Sequence, residues 1–156
     1  MPLDIIRGEI MNHELHTEVD IDAKPEAVWQ VLTDLDGWAD WNPFITSSVG
    51  KAAVGEELIN RMEPPGGKAM TFKPQVTVVE EASTFEWLGK LGVTGVFDGR
   101  HRFQLEATPS GGTHLVHTEH FTGVLVRFMR KSLDTNTVQG FELMDTALKN
   151  RVEATS

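Results

Sequence analysis

One long hairpin pattern constrains the fold of this chain more than any other feature. The turn Pro109-Ser110-Gly111-Gly112 separates two arms, residues 96–107 and 113–123, in which apolar and polar side chains alternate. Alternation with a period of two is typical of a strand that has one buried face. The sequence therefore predicts two long antiparallel strands with one side against a core.

The first arm shows clearly which side is buried. Four consecutive outward positions are charged or polar, so the inward face carries the apolar residues and takes one histidine with them. That face holds Phe97, Gly99, His101, Phe103, Leu105 and Ala107.

The second arm has two possible inward faces. We favour the one that Leu115 and Phe121 bracket, because these two residues are apolar. This choice turns His117 and Glu119 inward and leaves His114 and His120 to the solvent. Pairing Ala107 with Thr113 would place His101 opposite Glu119. A register shifted by one residue would reverse this arm and put His101 opposite His120.

Three interpretations remain open for His101, His117 and Glu119. They form an internal group that satisfies its own hydrogen bonds, as burial requires. Alternatively, they recognise a ligand and act as a general acid–base pair, in which case they are the catalytic residues. The third interpretation is a metal site with two histidines and one carboxylate, for which no fourth ligand is evident. We predict no metal and no cofactor.

The other elements surround this hairpin. Residues 13–22 alternate as a half-buried strand, and Pro25 opens a helix that runs to about Leu35. Further strands are predicted between Ile45 and the hairpin, among them a single strand over residues 69–79. The chain ends in a long helix with apolar residues every three or four positions, at Leu133, Thr137, Phe141, Met144, Leu148 and Val152.

The segments KPEAVWQVLTDLDGWADWNPF and GFELMDTALKNRVEA, with this order of elements, resemble the START-like (SRPBCC) superfamily and its polyketide cyclase/dehydrase-like bacterial members. The resemblance implies an α+β helix-grip fold. In it, a curved seven-stranded antiparallel sheet wraps around a long C-terminal helix, two short helices follow strand one, and a cavity lies between sheet and helix. It places this domain at residues 13–153, preceded by a tail or short added strand at residues 1–12. No catalytic motif of the superfamily carries over to these positions.

We therefore expect a protein that binds a small hydrophobic or aromatic molecule in an internal cavity. The alternatives are a cyclase or dehydratase with a His/Glu acid–base pair, and an adaptor between proteins of the co-chaperone type. The expected ligand-binding residues are Trp41, Trp87, Phe97, His101, Phe103, Leu105, Leu115, His117, Glu119, Phe121, Phe141 and Met144.

The composition limits the classes of partner that we expect this protein to bind. The net charge of −9 argues against nucleic acid, because phosphate binding needs concentrated Lys and Arg. No apolar run is long enough for a membrane span, so we expect no membrane insertion. The chain contains no cysteine, which fits a cytoplasmic location. Nothing in the sequence indicates an oligomeric state.

Overall fold

The structure is a computed structural model that describes residues 11–155. It has the α+β helix-grip architecture. The first strand begins at Asn12, one residue before the predicted start. Of the tail or added strand expected over residues 1–12, the first ten residues lie outside the described residues. The elements in chain order are β1 (Asn12–Ile21), α1 (Pro25–Thr33), a single 3₁₀ turn (Leu35–Gly37), α2 (Trp38–Trp41), β2 (Ile45–Val49), β3 (Ile59–Met62), β4 (Met70–Phe72), β5 (Gln75–Glu80), β6 (Thr84–Lys90), β7 (Asp98–Ala107), β8 (Thr113–Thr122), α3 (Val126–Ser132), a π-helical segment (Leu133–Thr137) and α4 (Val138–Thr155).

The strands form two antiparallel sheets that nearly join. One has the order β1-β8-β7-β6-β5 and the other the order β2-β3-β4. They meet where the Leu58 amide donates to the Pro74 carbonyl, beside an isolated bridge between Glu57 and Gln75.

Pro74 explains why the described chain has eight strands instead of the predicted seven. The single strand predicted over residues 69–79 is interrupted at Lys73-Pro74, which leaves β4 on one side and β5 on the other. Proline has no N–H to donate and is confined to edges and irregularities of a sheet. The strand count therefore differs from the prediction by this one break.

The C-terminal helix is longer than its apolar pattern predicts. Helical backbone starts at Val126 and continues to Thr155, with the π-helical segment between α3 and α4. Such a segment inserts extra backbone into a turn and rotates the helix faces on either side of it. The buried positions of α4 include Gly140, Phe141, Met144, Asp145 and Leu148, so this helix presents a mostly apolar face to the sheet.

Gly140 lies where the helix comes closest to the start of β2. A Cβ atom built on Gly140 would overlap the ring of Phe44, and that ring in turn packs on Phe141 with centroids 5.7 Å apart. The absence of a side chain at Gly140 therefore allows the helix to pack closely against the residues at the start of β2. No helix in the described range 11–155 is long and apolar enough to cross a membrane.

Candidate functional site

The β7–β8 hairpin has the favoured register. Ala107 pairs with Thr113, Phe103 with His117, and His101 with Glu119. His101 and His117 are buried, at 2% and 0% exposure. His120 is exposed, and His114 is half-buried on the outer face, where it bonds Asp20. The prediction that the four histidines divide between two faces is confirmed.

Five polar side chains form a continuous string from the interior toward the surface. Thr17 Oγ1 donates to Asp145 Oδ2 at 2.5 Å, and Asp145 Oδ1 lies 2.6 Å from His117 Nδ1. The Nε2 atoms of His117 and His101 are 2.6 Å apart, and His101 Nδ1 lies 3.3 Å from Glu119 Oε1. We call this set the polar string: Thr17, Asp145, His117, His101 and Glu119.

Aromatic rings enclose both histidines. His117 stacks on Phe141 and on Phe103, with centroids 4.1 Å and 4.4 Å away. His101 stacks on Trp87 at 4.6 Å. The two imidazoles therefore lie in an apolar layer between sheet and helix, and their ring nitrogens contact members of the polar string.

This environment acts against a charge on His101. Burial lowers the pKa of the His101 imidazole below its usual value, although the Glu119 carboxylate acts in the opposite direction. A neutral imidazole keeps one nitrogen as a donor and one as an acceptor, which is what a hydrogen-bonded chain needs.

Glu119 is the end of the string that reaches solvent. Its side chain is 14% exposed, against 0% for His117 and 4% for Asp145. Gly99 makes room for the carboxylate, since a Cβ atom there would lie 2.5 Å from Glu119 Oε2. We call this the mouth end of the string, and the end at Asp145 the closed end.

Apolar side chains are exposed beyond the ends of β7 and β8. The amides of Val124 and Leu125 donate to the carbonyls of Gly95 and Val96, which brings two connecting segments side by side at the mouth end. The exposed residues, which we call the apolar rim, are Leu91, Val93, Val124, Leu125, Phe128 and Met129.

The structure brings most of the expected ligand-binding residues together, but as packed core. The side chains of Trp87, Phe103, Leu115, Phe141 and Met144 are all at 0% exposure. Where the sequence predicts the wall of a cavity, these side chains contact other protein atoms. A ligand that reaches them has to displace part of this packing.

The remaining expected residues lie around that core. Phe97 and Phe121 stack on each other at the mouth end, with centroids 5.4 Å apart. Leu105 pairs with Leu115 nearer the hairpin turn, and Trp41 is half-buried and contacts the cluster through Trp38. Among the described residues, no group of three or more His, Cys, Asp or Glu side chains has the geometry to hold a metal ion.

Two members of the string, Asp145 and Thr17, do not appear among the residues singled out from the sequence. A signal for each is present. Asp145 falls four positions after Phe141 and three before Leu148, so it is a carboxylate within an apolar helix stripe. Thr17 shares the inward face of β1 with Leu15 and Val19. Both are polar residues on faces that the pattern assigns to the core, where they need partners.

One buried donor in the same layer has no partner. The indole Nε1–H of Trp87 is buried and makes no hydrogen bond within the described residues, although this ring stacks directly on His101. Buried N–H groups are rarely left unpaired in folded proteins. A polar atom from outside the chain would satisfy it.

The sequence profile of one family matches residues 12–153, and its description is polyketide cyclase / dehydrase and lipid transport. The chain belongs to this family. No curated protein matches the chain in sequence.

Solved structures share the fold at low identity. BexL, a di-domain ARO/CYC protein from the BE-7585A biosynthetic pathway, has a TM-score of 0.76 and 14% identity over 97% of this chain and 53% of its own. The chain thus spans about half of that protein, and the same holds for the di-domain protein StfQ, of which 54% is covered.

Two single-domain structures match over nearly their whole length. The ZhuI aromatase/cyclase from a Streptomyces species has a TM-score of 0.75 and 16% identity, with 91% of this chain and 94% of that one covered. A point mutant of norcoclaurine synthase from Thalictrum, in complex with a transition-state analogue, has a TM-score of 0.71 and 15% identity, with 93% and 97% covered. At these identities the likeness establishes the fold.

Proposed function

We propose that this protein binds a small aromatic or apolar molecule that carries a hydroxyl or carbonyl oxygen. The ligand would enter at the mouth end, lie against Phe97 and Phe121, and meet Glu119 and His101 with its oxygen. The observation that carries the proposal is the polar string itself. It crosses an aromatic layer and ends in a carboxyl group that is partly open to solvent.

Several features of the same region support this function. Aromatic rings offer a large apolar contact area, and a few placed polar groups fix the orientation of a ligand. The Trp87 indole N–H supplies a free donor beside His101. The apolar rim lies at the same end of β7 and β8 and exposes apolar side chains that an apolar molecule could contact first. The family description and the named neighbours, which include aromatase/cyclases, are consistent with a ligand of this kind.

Naphthol is a suitable probe, because it is aromatic, apolar and carries one hydroxyl. Titration with naphthol should quench the tryptophan fluorescence and shift the NMR signals of Phe97, Phe121 and Glu119. Glu119→Leu should weaken binding by about tenfold, the worth of one hydrogen bond to the ligand oxygen. The matched control is Glu106→Leu, at an exposed carboxylate on the outer face of the same hairpin, which should leave binding unchanged. Signals that shift only at the apolar rim would contradict the internal site.

Acid–base catalysis of the cyclase or dehydratase type is the second candidate. The observation that favours it is the pair of histidines with a carboxylate at each end, since a positioned imidazole or carboxyl group accelerates proton transfer by about 10²–10⁴-fold. The test reaction is loss of water from the β-hydroxy ketone that benzaldehyde and acetone form. The absorbance of the enone product measures its rate. His101→Gln should abolish a rate enhancement that Glu106→Gln retains. A wild-type rate equal to that in buffer would reject catalysis of this reaction while leaving binding intact.

The adaptor interpretation, the cytoplasmic location and the domain limits at residues 1–12 and 13–153 stay predictions. Absence of naphthol binding, together with capture of a folded partner by the apolar rim, would favour the adaptor.

A further inference from the structure

The direction of the polar string depends on which of its two carboxyl groups is ionised. Asp145 fits that role better, because both of its oxygens have a short contact with a possible donor, Thr17 Oγ1 at 2.5 Å and His117 Nδ1 at 2.6 Å. Glu119 contacts the string through one oxygen, at 3.3 Å. An ionised carboxylate accepts hydrogen bonds and donates none. With Asp145 ionised at the closed end, His117 Nδ1 must carry a hydrogen to make its 2.6 Å contact, just as Thr17 donates to the other oxygen. A neutral His117 then has a bare Nε2.

The direction passes from one ring to the next. The two Nε2 atoms are 2.6 Å apart, so one of them carries the hydrogen between them. Because Nε2 of His117 is bare, the hydrogen belongs to His101. A neutral His101 then turns a bare Nδ1 toward Glu119 Oε1, 3.3 Å away.

At the mouth end this order requires one more hydrogen. A bare Nδ1 facing an ionised carboxylate would bring two acceptors together without a donor, which is unfavourable because the His101 ring is buried and the carboxyl group is only 14% exposed. A proton on Glu119 removes the conflict and completes the chain of donors.

We propose that the polar string is ordered in one direction, so that Asp145 holds its negative charge at the closed end and Glu119 holds a transferable proton at the mouth end. Thr17 and Asp145 are positioning residues in this arrangement, because they fix the tautomers of two rings without contacting a ligand. Glu119 is the acid. When an oxygen of a bound ligand replaces His101 as its partner, the Glu119 O–H bond breaks, the ligand O–H bond forms, and a carboxylate remains.

The chemistry narrows the ligand class, and this step rests on the proposed function. A proton donor at the mouth end can polarise the carbonyl group of a ligand, or can protonate a hydroxyl group so that it leaves as water. A ligand that offers only a cation or an N–H donor has no atom that can accept the Glu119 proton.

The test of the order needs no ligand, so its failure is distinct from failure of the proposed function. Nitrogen NMR of isotopically labelled histidine distinguishes a ring nitrogen that carries hydrogen from one that is bare. In the free protein near neutral pH, His117 should be protonated at Nδ1 only and His101 at Nε2 only. A doubly protonated His101, or the opposite tautomers, would overturn the proposal.

Glu119→Gln then tests where the mouth-end proton lies. The glutamine amide can donate to His101 Nδ1 as the carboxylic acid does, so both tautomers should stay as in the wild type. If His101 were an imidazolium beside a carboxylate, this substitution would strip one hydrogen from the ring. The carbon NMR signal of the Glu119 carboxyl gives a second reading, since it should be that of an acid, and a carboxylate signal would refute the assignment.

Thr17→Val and Asp145→Leu test the positioning role. Thr17→Val removes one donor to Asp145 and should keep both tautomers while broadening the His117 signal. Asp145→Leu removes the acceptor of the His117 Nδ1 hydrogen, so both rings should switch tautomers together. If Asp145→Leu does not fold, Asp145→Asn, in which the amide can accept or donate, should give a mixture of the two orders. Tautomers that stay unchanged in the folded Asp145 variants would show that the order has another origin.

Discussion

The imidazole of His117 lies flat against the ring of Phe141, with the centroids 4.1 Å apart and the planes 2° from parallel. The central hairpin thus meets the C-terminal helix through a histidine. One helical turn later, Asp145 bonds the same ring at Nδ1. The helix therefore packs on the ring and orients it at the same time, which links the position of α4 to the geometry of the polar string.

Burial of His101 should make stability fall as the pH falls. Its pKa is lowered in the folded protein, so just below the unfolded value of about 6.5 the unfolded chain binds a proton that the folded chain does not. Stability is thus present above this pH and is lost as the pH falls toward the folded pKa. Urea unfolding across this range should show a smaller loss for His101→Gln than for the wild type.

His114 provides the control with the opposite sign. Its hydrogen bond to Asp20 raises the pKa of the half-buried imidazole, so its contribution is present at low pH and lost as the pH rises through the folded pKa. His114→Asn should therefore leave the loss of stability at low pH as large as in the wild type or larger. A smaller loss in His114→Asn than in His101→Gln would contradict the assignment.

Glu86 should be the carboxylate whose removal affects stability most on the outer face of the sheet. Burial raises its pKa, but hydrogen bonds from Arg100, Arg102 and Thr77 outweigh this and leave the pKa lowered. Its contribution is present above the unfolded pKa near 4.3 and is lost as the pH falls through the folded value. Because both arginines are about half-exposed, Glu86→Gln should cost about 1–2 kcal/mol of unfolding free energy at neutral pH.

The measurement for Glu86 is the difference in unfolding free energy between variant and wild type as the pH is lowered. The difference should shrink toward acid, where the wild-type carboxylate is protonated. Glu106→Gln, on the neighbouring strand β7 with an exposed side chain, should change stability by less than about 0.5 kcal/mol. A Glu86→Gln effect that does not vary with pH would argue for a role in packing alone.

Local pattern was sufficient to predict the hairpin and the sides on which its histidines lie. Alternation in β7 places His101 inward, and Leu115 with Phe121 places His117 and Glu119 beside it. The break at Pro74 was also readable, since proline marks irregular points in a sheet, but the apolar residues on either side favoured one strand.

The partners of the string could not be predicted in this way. Helical spacing puts Asp145 on the buried face of α4, yet it does not tell which strand this face meets. Thr17 and His117 reach Asp145 only because β1 pairs with β8, across about one hundred residues of chain. The tight packing of Trp87, Phe103 and Phe141 depends in the same way on three-dimensional fit, where the resemblance alone implies a cavity.

Gly140→Ala should destabilise the protein although alanine is the better helix former. Alanine favours a helix interior by about 1 kcal/mol over glycine. Here its Cβ would overlap the Phe44 ring, and extra atoms in a packed contact cost about 1–3 kcal/mol. Thermal unfolding should show a lower Tm for Gly140→Ala. In a Phe44→Leu background, Gly140→Ala should lower the Tm by less than it does in the wild type, because the clashing ring is gone. An equal loss in both backgrounds would mean that the overlap is not the cause.

Gly99→Ala should separate Glu119 from His101. The new Cβ would lie 2.5 Å from Glu119 Oε2, so the carboxyl group has to move. Because that group is the end of a flexible side chain, we expect a small cost in stability, with loss of the contact at His101 Nδ1. Gly89 is the matched control. It pairs with Gly99 on the neighbouring strand, and a Cβ there would meet its nearest atom, Phe72 Cδ2, at 3.7 Å. Nitrogen NMR should show a changed His101 Nδ1 signal in Gly99→Ala and an unchanged one in Gly89→Ala. Equal spectra in the two variants would mean that the bare Cα of Gly99 does not position the carboxyl group.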